Sequence, residues 1–359
     1  MKNLYSAKIL IVKLDHIGDL LLATPVFKAI KEKYPECRLD VIANSKSSIV
    51  LKNNPYITHI YPYDSQMFNR EGNNSVLTSL RNFETVCAIQ HERYDICIGL
   101  REDHENLPLM KLLGAESNIS FSTYTEYAFL LDKSVENDSN KHAAEINFDL
   151  LKLLNIQKPR ILEPQIFTEE ADEKWADTFL AENNISEDNI VIAISPGGGW
   201  FLNWWPWEKY ASVCEMLSLY KPNIRIVTVG GRAEEKLDLK IRQNAKCYIA
   251  SAVGKTTIHQ LAALYRRAAF TITNDGGPMH ICTAVGTPVI ALFGPSPYNR
   301  FGPLGENNVI LTKKFKCSPC PQFVKGRIPD CMDNRCMKAI TVEEVLDVAY
   351  KKINQLKTG

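Results

Sequence analysis

Hydrophobic runs of five to seven residues alternate with longer amphipathic stretches along most of the chain. In the first part, apolar runs lie at residues 8–12, 38–44, 58–63 and 94–100. Short runs without polar alternation are typical of strands buried on both faces of a parallel sheet. Residues 75–92, between the third and fourth runs, have the spacing of a helix. This order predicts a doubly wound α/β domain.

The same alternation of apolar runs and amphipathic stretches begins again after a charged, less periodic stretch around residues 155–189. A second set of strands, alternating with amphipathic helices, is predicted at residues 189–195, 224–230, 246–251, 270–275 and 288–294. A chain of 359 residues usually forms two domains, which agrees with this pattern. The predicted divisions are a first domain at 1–165, a linker with a helix at 166–188, a second domain at 189–338, and a C-terminal helix at 339–359 packing back on the first domain.

Composition narrows the possible partners and locations. The chain is 45% hydrophobic and 23% charged, with a formal net charge of +1, so no global charge favours a nucleic-acid partner. No apolar stretch approaches the roughly 20 residues that span a bilayer. The apolar run near the N-terminus is too short for a signal peptide. We therefore expect a cytoplasmic protein without a transmembrane segment, which leaves contact with a membrane surface open.

Polar chemistry is concentrated where the first predicted strand ends. Residues 14–25 read LDHIGDLLLATP and place Asp15, His16 and Asp19 between a strand and a helix. A carboxylate at a strand end can remove a proton from an attacking hydroxyl. The alternative is that Asp19 only caps the turn that follows.

A glycine-rich turn ends the strand at 270–275. There Asp275, Gly276 and Gly277 precede a helix predicted to start near Pro278, and His280 lies in its first turn. Glycines let backbone N–H groups approach an anion, and a helix N-terminus adds positive potential, so the turn is a candidate phosphate cradle. The alternative is an ordinary turn with His280 as a surface cap.

Two more glycine-rich strand ends lie in the second half, at residues 195–210 and 229–236. The first matches neither GxGxxG nor the P-loop pattern, which speaks against plain dinucleotide or triphosphate binding. In the second, Arg232 could pair with a diphosphate and Glu234 could accept from ribose hydroxyls, or both could belong to a solvated helix start. A nucleotide diphosphate is thus predicted for the second half, with acceptor and base supplied by the first.

The ten cysteines fall into two groups. Six are scattered in apolar surroundings and are predicted to be buried thiols. Four cluster with spacing C-x2-C-x10-C-x4-C, which suits either a structural zinc or reduced thiols packing the C-terminal region. No Asp-x-Asp motif is suitably placed, so no obligatory divalent ion or other cofactor is expected. The clustered residues are Cys317, Cys320, Cys331 and Cys336.

Two of these segments together resemble the bacterial heptosyltransferases of glycosyltransferase family nine. The segments are VKLDHIGDLLLATP at 12–25 and NDGGPMHICTAVGTPVIALFGPS at 274–296. The resemblance implies the GT-B architecture, in which two Rossmann-like domains face each other across a cleft. It also implies inverting transfer of a heptose from an ADP-sugar to a lipopolysaccharide core hydroxyl. The acceptor would be lipid-linked, which places the enzyme at the inner membrane surface.

The resemblance carries over to single residues. It makes Asp19 the general base, and it assigns the donor diphosphate to the segment of Asp275, Gly276, Gly277 and His280. Lys13 and Gly18 match the family's first motif and are expected near the donor.

Two positions depart from the family pattern, and other roles stay open. Asn203 stands where a basic residue is common, and Gly276 replaces a hydroxyl residue; either change is compatible with a different sugar donor.

Arg101 and His104, just past the fourth strand, and His16 are candidates to hold the acceptor. The alternatives are a sugar-nucleotide epimerase and a non-catalytic sugar-nucleotide-binding protein on the same scaffold.

Overall fold

A computed structural model of the protein describes residues 4–65, 76–101, 103–123, 126–324, 331 and 333–356. The chain forms two compact units, Met1–Phe167 and Thr168–Gly359. Each unit contains one six-stranded sheet in which all strands are parallel. The predicted fold class, two doubly wound parallel sheets with helices between the strands, is confirmed.

The first unit follows the predicted alternation of strands and helices. Its elements are β1 (Lys8–Lys13), α1 (Ile17–Leu21), α2 (Thr24–Lys33), β2 (Arg38–Asn44), β3 (His59–Tyr63), α3 (Val76–Glu92), β4 (Ile96–Gly99), α4 (Asn106–Leu113), β5 (Ser117–Phe121), β6 (Lys133–Val135) and α5 (Ala143–Leu151). The sheet order is β3-β2-β1-β4-β5-β6, the order of a Rossmann domain. The central strands β1 and β4 are almost entirely buried, as their continuous apolar runs predict.

The second unit repeats this topology without repeating the sequence. Its elements are α6 (Glu170–Glu182), β7 (Ile190–Ser195), α7 (Trp207–Tyr220), β8 (Ile224–Thr228), α8 (Glu235–Asn244), β9 (Ile249–Ser251), α9 (Ile258–Arg266), β10 (Phe270–Asn274), α10 (Gly277–Ala284), β11 (Val289–Phe293), α11 (Tyr298–Phe301), β12 (Val309–Thr312), α12 (Pro321–Val324), α13 (Arg335–Lys338) and α14 (Val342–Gln355). The sheet order is β12-β11-β10-β7-β8-β9. Read from the other edge, this is the order of the first unit.

Helix α14 belongs to the second unit. Its buried apolar residues, among them Val345 and Ala349, are part of the core of that unit, where the helix packs against α7 and β11. A capping box at Thr341 and Glu344 fixes where the helix begins. The apolar face of α14 thus completes the core of the second unit, and its predicted packing on the first domain stays a prediction.

Helix α6 lies in the second unit, which begins at Thr168. It packs along α9, and Glu173 on α6 pairs with both Arg266 and Arg267 at the end of α9. Arg267 also contacts Asp177, with its Nε 2.6 Å from Oδ1. These contacts explain why the charged stretch is helical although its periodicity is weak.

The topology indicates where each unit can bind a ligand. The strand order reverses between β1 and β4 in the first unit and between β7 and β10 in the second. In open α/β sheets, ligands bind in the crevice at the carboxyl ends of the strands at such a point.

Within the described residues, no helix has the length and apolar character needed to cross a membrane.

Candidate active site

A buried charge cluster occupies the crevice between β1 and β4. Lys13, the last residue of β1, places its Nζ 2.9 Å from Oδ2 of Asp15. Arg101, two residues beyond β4, pairs with the other carboxylate oxygen of Asp15, and its Nε lies 2.7 Å from Asp103. Asp15 is only 3% exposed. Two cations from neighbouring strand ends therefore hold one buried carboxylate in place.

Asp15 and Asp19 have pKa values displaced in opposite directions. Burial raises the pKa of Asp15, but Lys13 and Arg101 outweigh it and lower that pKa to about 2. The pKa of Asp19 is raised, first by burial and then by the negative charge of Asp15, against a smaller lowering by Lys13 and Arg101. Asp19 is half-buried in the first turn of α1, so its carboxyl can meet a ligand. Environments that separate two carboxyl pKa values in this way are typical of acid–base sites.

The other candidates from the first unit have different surroundings. His16 is exposed immediately before α1, and its side chain makes no cap hydrogen bond there. His104 is exposed beyond β4, close in sequence to Asp103. Gly18 is buried within α1, where it contributes backbone only. The structure brings Lys13, Arg101 and Asp15 together. The sequence analysis had assigned Lys13 to the donor and Arg101 to the acceptor.

In the second unit, Asn274 ties the strand ends of the crevice together. Its Nδ2 donates to the carbonyl oxygens of Pro196 at 2.7 Å and Gly197 at 3.2 Å, which follow β7. Its Oδ1 accepts from the Tyr210 hydroxyl at 2.8 Å and from the Trp205 N–H at 3.2 Å. This buried side chain fixes the glycine-rich loop after β7 against β10.

Three residues from three neighbouring strand ends meet beside this anchor. Asn203 Nδ2 donates to Oδ2 of Asp275 at 3.1 Å and to the Ser296 hydroxyl at 3.3 Å. Asn203 and Ser296 are 7% and 1% exposed, whereas Asp275 is half-buried. The three follow β7, β10 and β11, which are adjacent in the sheet. The sequence analysis gave Ser296 no role, although it lies in the turn after β11 within the second motif.

The turn after β10 has the predicted form. Gly276 is the N-cap of α10, Gly277 is its first residue, and Pro278 follows in the first turn. The first N–H groups of a helix have no partner within the helix, so they are available to an anion. His280 is only 4% exposed, and the alternative that it caps the surface is therefore wrong.

Glu234 and Arg232 lie on the other side of β7, near β8 and β9. A Cβ added at Gly197 would lie 2.1 Å from Cγ of Glu234, so glycine at 197 allows the Glu234 side chain to cover this turn. Arg232 is exposed, and its stem lies against Gly254, which follows β9. The structure thus places Glu234 at the loop after β7, but it places Arg232 beside the outermost strand.

Four of the six scattered thiols are buried as predicted, and two, Cys87 and Cys247, are half-buried. Burial raises the pKa of Cys282 to about 12. The four late cysteines are all free thiols, of which Cys336 is buried. Within the described part of the chain, no group of three or more His, Cys, Asp or Glu residues could hold a metal ion. A zinc site at these cysteines stays a prediction from their spacing.

Comparison with known families decides the class of protein. A family model described as glycosyltransferase family 9 (heptosyltransferase) matches residues 84–327, more than half of the chain. The chain belongs to glycosyltransferase family 9. It is therefore a glycosyltransferase, and the resemblance seen in its two motifs is confirmed. Family 9 membership favours glycosyl transfer over the epimerase and over the non-catalytic alternative.

Relatives within glycosyltransferase family 9 are distant in sequence. Lipopolysaccharide heptosyltransferase 3 of Escherichia coli is 24% identical over 81% of this chain and 85% of that protein. Lipooligosaccharide heptosyltransferase 2 of Campylobacter jejuni is 24% identical over 93% of this chain and 96% of that protein.

Solved structures of family 9 proteins share the fold. The glycosyl transferase family 9 structure from Veillonella parvula has a TM-score of 0.85 at 22% identity, with 99% of each chain covered. The structure of E. coli heptosyltransferase WaaC with ADP has a TM-score of 0.75 at 18% identity and covers 96% of this chain and 99% of that one. At these identities the likeness extends to the fold alone.

Proposed function

We propose that this family 9 enzyme transfers a heptose from ADP-heptose to a hydroxyl of a lipopolysaccharide core acceptor, with inversion at the anomeric carbon. The proposal is supported by relatives named as lipopolysaccharide and lipooligosaccharide heptosyltransferases. It is also supported by the neighbouring WaaC structures, which are described with ADP and with ADP-2-deoxy-2-fluoro heptose.

The observation that carries the proposal is the charge cluster at the end of β1, where Lys13 and Arg101 hold the buried Asp15 four residues before Asp19. Lys13 and Arg101 lower the pKa of Asp15 and keep it ionised, whereas burial and then the charge of Asp15 raise the pKa of Asp19. A general base works best when its pKa is near the operating pH, so a raised value improves an aspartate for this task. Asp19 would therefore be the base, with Asp15 contributing to its raised pKa.

In the proposed reaction, the Asp19 carboxylate removes the proton from the acceptor hydroxyl as its oxygen attacks the anomeric carbon. The bond between that carbon and the diphosphate oxygen breaks in the same displacement, and ADP leaves with the electron pair. Attack from the face opposite the leaving group inverts the configuration. Negative charge gathers on the diphosphate, where preorganised donors stabilise it best.

The second unit would bind the donor. The N–H groups at Gly276 and Gly277, at the start of α10, would hold the diphosphate, with His280 in the same helix. Glu234 follows β8, the second strand of the unit in sequence order, and would accept from the ribose hydroxyls, as acidic residues after that strand do in related nucleotide sites. Arg232 lies next to Gly254 and would reach the diphosphate only through its long side chain.

The first unit would bind the acceptor. Arg101 already pairs with Asp15 and Asp103, so its first role is to hold Asp15, and any contact with an anionic acceptor would use its remaining donors. The exposed His16 and His104 are the other candidates. A lipid-linked acceptor would bring the enzyme to the inner membrane surface as a peripheral protein.

Turnover of Asp19→Asn tests the proposal. With ADP-heptose and a core acceptor, the variant should turn over about 10²–10⁴-fold more slowly, because it lacks the general base. Its affinity for ADP should be unchanged, since Asp19 lies in the other unit from the proposed donor site. Asp347→Asn, on the exposed face of α14, is the matched control and should retain full activity.

Two results would contradict parts of the proposal. Near-normal turnover by Asp19→Asn would make Asp19 a turn residue rather than the base. Wild-type activity with another nucleotide sugar in a donor panel, and none with ADP-heptose, would leave the glycosyltransferase assignment intact and remove the proposed donor.

A further inference from the structure

Helix α3 of the first unit turns apolar side chains toward solvent at its N-terminal end. Four large apolar residues there are between 52% and 77% exposed and form the α3 stripe: Val76, Leu77, Leu80 and Phe83. In a helix that packs on a sheet, apolar residues normally face the sheet and polar residues face water. Val76, Leu80 and Phe83 are spaced by four and three residues, so they share one face of the helix. That face points away from the core of its own unit.

The inward face of the same part of α3 is polar. Asn82 Nδ2 donates to the carbonyl oxygen of Asp64 at 3.0 Å, and Asn82 Oδ1 accepts from the Asp64 N–H at 2.9 Å. The Thr85 hydroxyl donates to the carbonyl oxygen of Pro62 at 3.1 Å. These hydrogen bonds attach the helix to the end of β3. The α3 stripe therefore does not hold the helix on its sheet.

The same contacts show in which direction the α3 stripe extends. Thr85 meets Pro62 within β3, and Asn82, three residues earlier in the helix, meets Asp64 just beyond the strand. The helix therefore runs antiparallel to β3, and its residues before Asn82 extend past the carboxyl end of the strand. At about 1.5 Å per residue, Val76 lies about 9 Å further along the axis than Asn82. The stripe thus extends past the sheet edge at which the crevice of the first unit lies.

Hydrogen bonds join this end of β3 to the charge cluster in the crevice. Ser45, directly after β2, donates to the carboxylate of Asp64. Ser47, two residues later, donates to the carbonyl oxygen of Asp15 at 2.7 Å. The α3 stripe and the surroundings of Asp15 therefore belong to one connected edge of the first unit.

The size and character of the α3 stripe distinguish a lipid partner from a protein partner. The four side chains present on the order of 400 Å², about half of the roughly 800 Å² that each partner buries in a stable protein interface. They carry no hydrogen-bonding group, whereas protein interfaces combine an apolar core with hydrogen bonds at a polar rim. Leu and Phe on the outer face of a helix enter a bilayer to a depth of about 5–10 Å. A lipid surface therefore fits the stripe better than a second copy of this chain.

We propose that the α3 stripe is the surface by which the first unit docks on a lipid bilayer. Insertion of the stripe holds the crevice of that unit at the membrane surface, where a lipid-linked acceptor presents its sugar hydroxyls. This inference rests on the proposed lipid-linked acceptor and adds to it the face of the enzyme that meets the membrane.

Sedimentation of the full-length protein with lipid vesicles tests the inference. The wild-type protein should bind vesicles of pure phosphatidylcholine. An equimolar mixture with phosphatidylglycerol should strengthen binding by no more than about fivefold, the effect of one cation, because the exposed Arg81 and Glu84 beside the stripe have opposite charges. Leu80→Ser/Phe83→Ser should weaken binding to both vesicles about tenfold or more, because two apolar side chains no longer enter the bilayer.

Helix α7 offers a matched control. Met216 and Leu219 are 45% and 75% exposed and have the same three-residue spacing as Leu80 and Phe83. Met216→Ser/Leu219→Ser removes two exposed apolar side chains from the second unit and should bind vesicles as the wild type does. Both double variants change exposed positions only, so their thermal unfolding should match that of the wild type.

Activity separates docking from catalysis. With the acceptor embedded in vesicles, Leu80→Ser/Phe83→Ser should raise the acceptor KM about tenfold or more, in parallel with its weaker binding, and leave kcat unchanged. With the sugar part of the acceptor freed from its lipid, both kinetic constants should equal those of the wild type, because the crevice is intact.

Several results would overturn the inference while the proposed reaction stands. They are a wild-type protein that binds neither vesicle, a stripe variant that binds as the wild type does, and equal weakening by the α7 control. Binding only to the phosphatidylglycerol mixture, abolished by salt, would assign docking to charge instead. A wild-type dimer that Leu80→Ser/Phe83→Ser dissociates, without vesicle binding, would assign the stripe to a second copy. A wild-type enzyme inactive on every lipid-linked acceptor would remove the proposed acceptor, whatever the vesicle result.

Discussion

Replacing Asp15 by asparagine should make Asp19 a working base at lower pH. In the wild-type protein, the negative charge of Asp15 raises the pKa of Asp19, while Lys13 and Arg101 lower it. Asp15→Asn removes the raising charge and leaves both cations in place. The pKa of Asp19 should therefore fall, and the acid limb of the kcat/KM profile should move to lower pH.

The magnitude follows from the charge that the substitution removes. Lys13 and Arg101 keep Asp15 ionised, with its pKa lowered to about 2 although burial opposes them. Repulsion by Asp15 is the second cause that raises the pKa of Asp19, after burial. A nearby charge commonly moves a carboxyl pKa by about one unit or more, at about 1.4 kcal/mol per unit. We therefore expect the acid limb to move by about one pH unit.

The assay is kcat/KM for heptosyl transfer, measured across the acid and neutral range. Asp15→Glu keeps the charge and is the matched control, so its acid limb should stay close to that of the wild type. Asp15→Asn leaves the buried Lys13 without its carboxylate partner, which costs stability. The double variant Lys13→Met/Asp15→Asn removes both charges and should shift the limb by less than the single variant.

A folded Asp15→Asn protein whose acid limb stays in place, or moves to higher pH, would refute this reasoning. Such a result would mean that protonation of Asp19 is not what lowers kcat/KM at acid pH. Thermal unfolding of each variant, measured at the pH of the assay, confirms that the comparison is made between folded proteins.

Two further predictions follow from the same contacts. Arg101→Gln removes a charge that lowers the pKa of Asp19, so the acid limb of kcat/KM should move to higher pH; an unchanged limb, with only the acceptor KM raised, would make Arg101 an acceptor residue instead. Asn274→Ala removes four hydrogen bonds that join β7, β10 and α7, and should lower the free energy of unfolding of the second unit by about 3 kcal/mol in urea titrations. A loss below about 1 kcal/mol would mean that water replaces the side chain.

The sequence was sufficient to predict the central strands because their signal is local. Runs such as those of β1 and β7 are apolar at nearly every position, which only burial on both faces explains. Strands β5, β6 and β12 were not predicted. Two of them are short or polar, KSV and SNISF, and residues of β12 are only half-buried, so their pairing depends on the strand beside them. Sheet edges are fixed by tertiary contacts rather than by local pattern.

The sequence also predicted which strand ends carry the candidate residues, but not how these residues pair. Glycines and carboxylates after apolar runs lie at the crevices of the two sheets, because parallel strands all end at one sheet edge. The sequence could not show which residues are close in space. Arg101 and Lys13 are separated by about half of the first unit in sequence, yet both hold Asp15. Asp15, whose charge adds to burial in raising the pKa of Asp19, therefore looked like a minor neighbour in the sequence.

The two units share one topology but give their crevice carboxylates different partners. In the first unit, Lys13 and Arg101 hold Asp15. They keep Asp15 ionised, so its charge adds to burial in raising the pKa of the neighbouring Asp19. In the second unit, the amide of Asn203 donates to Asp275. A buried carboxylate that keeps its charge acts on the groups beside it, so the side chains that the neighbouring strand ends supply, rather than the topology, decide the electrostatics of each crevice.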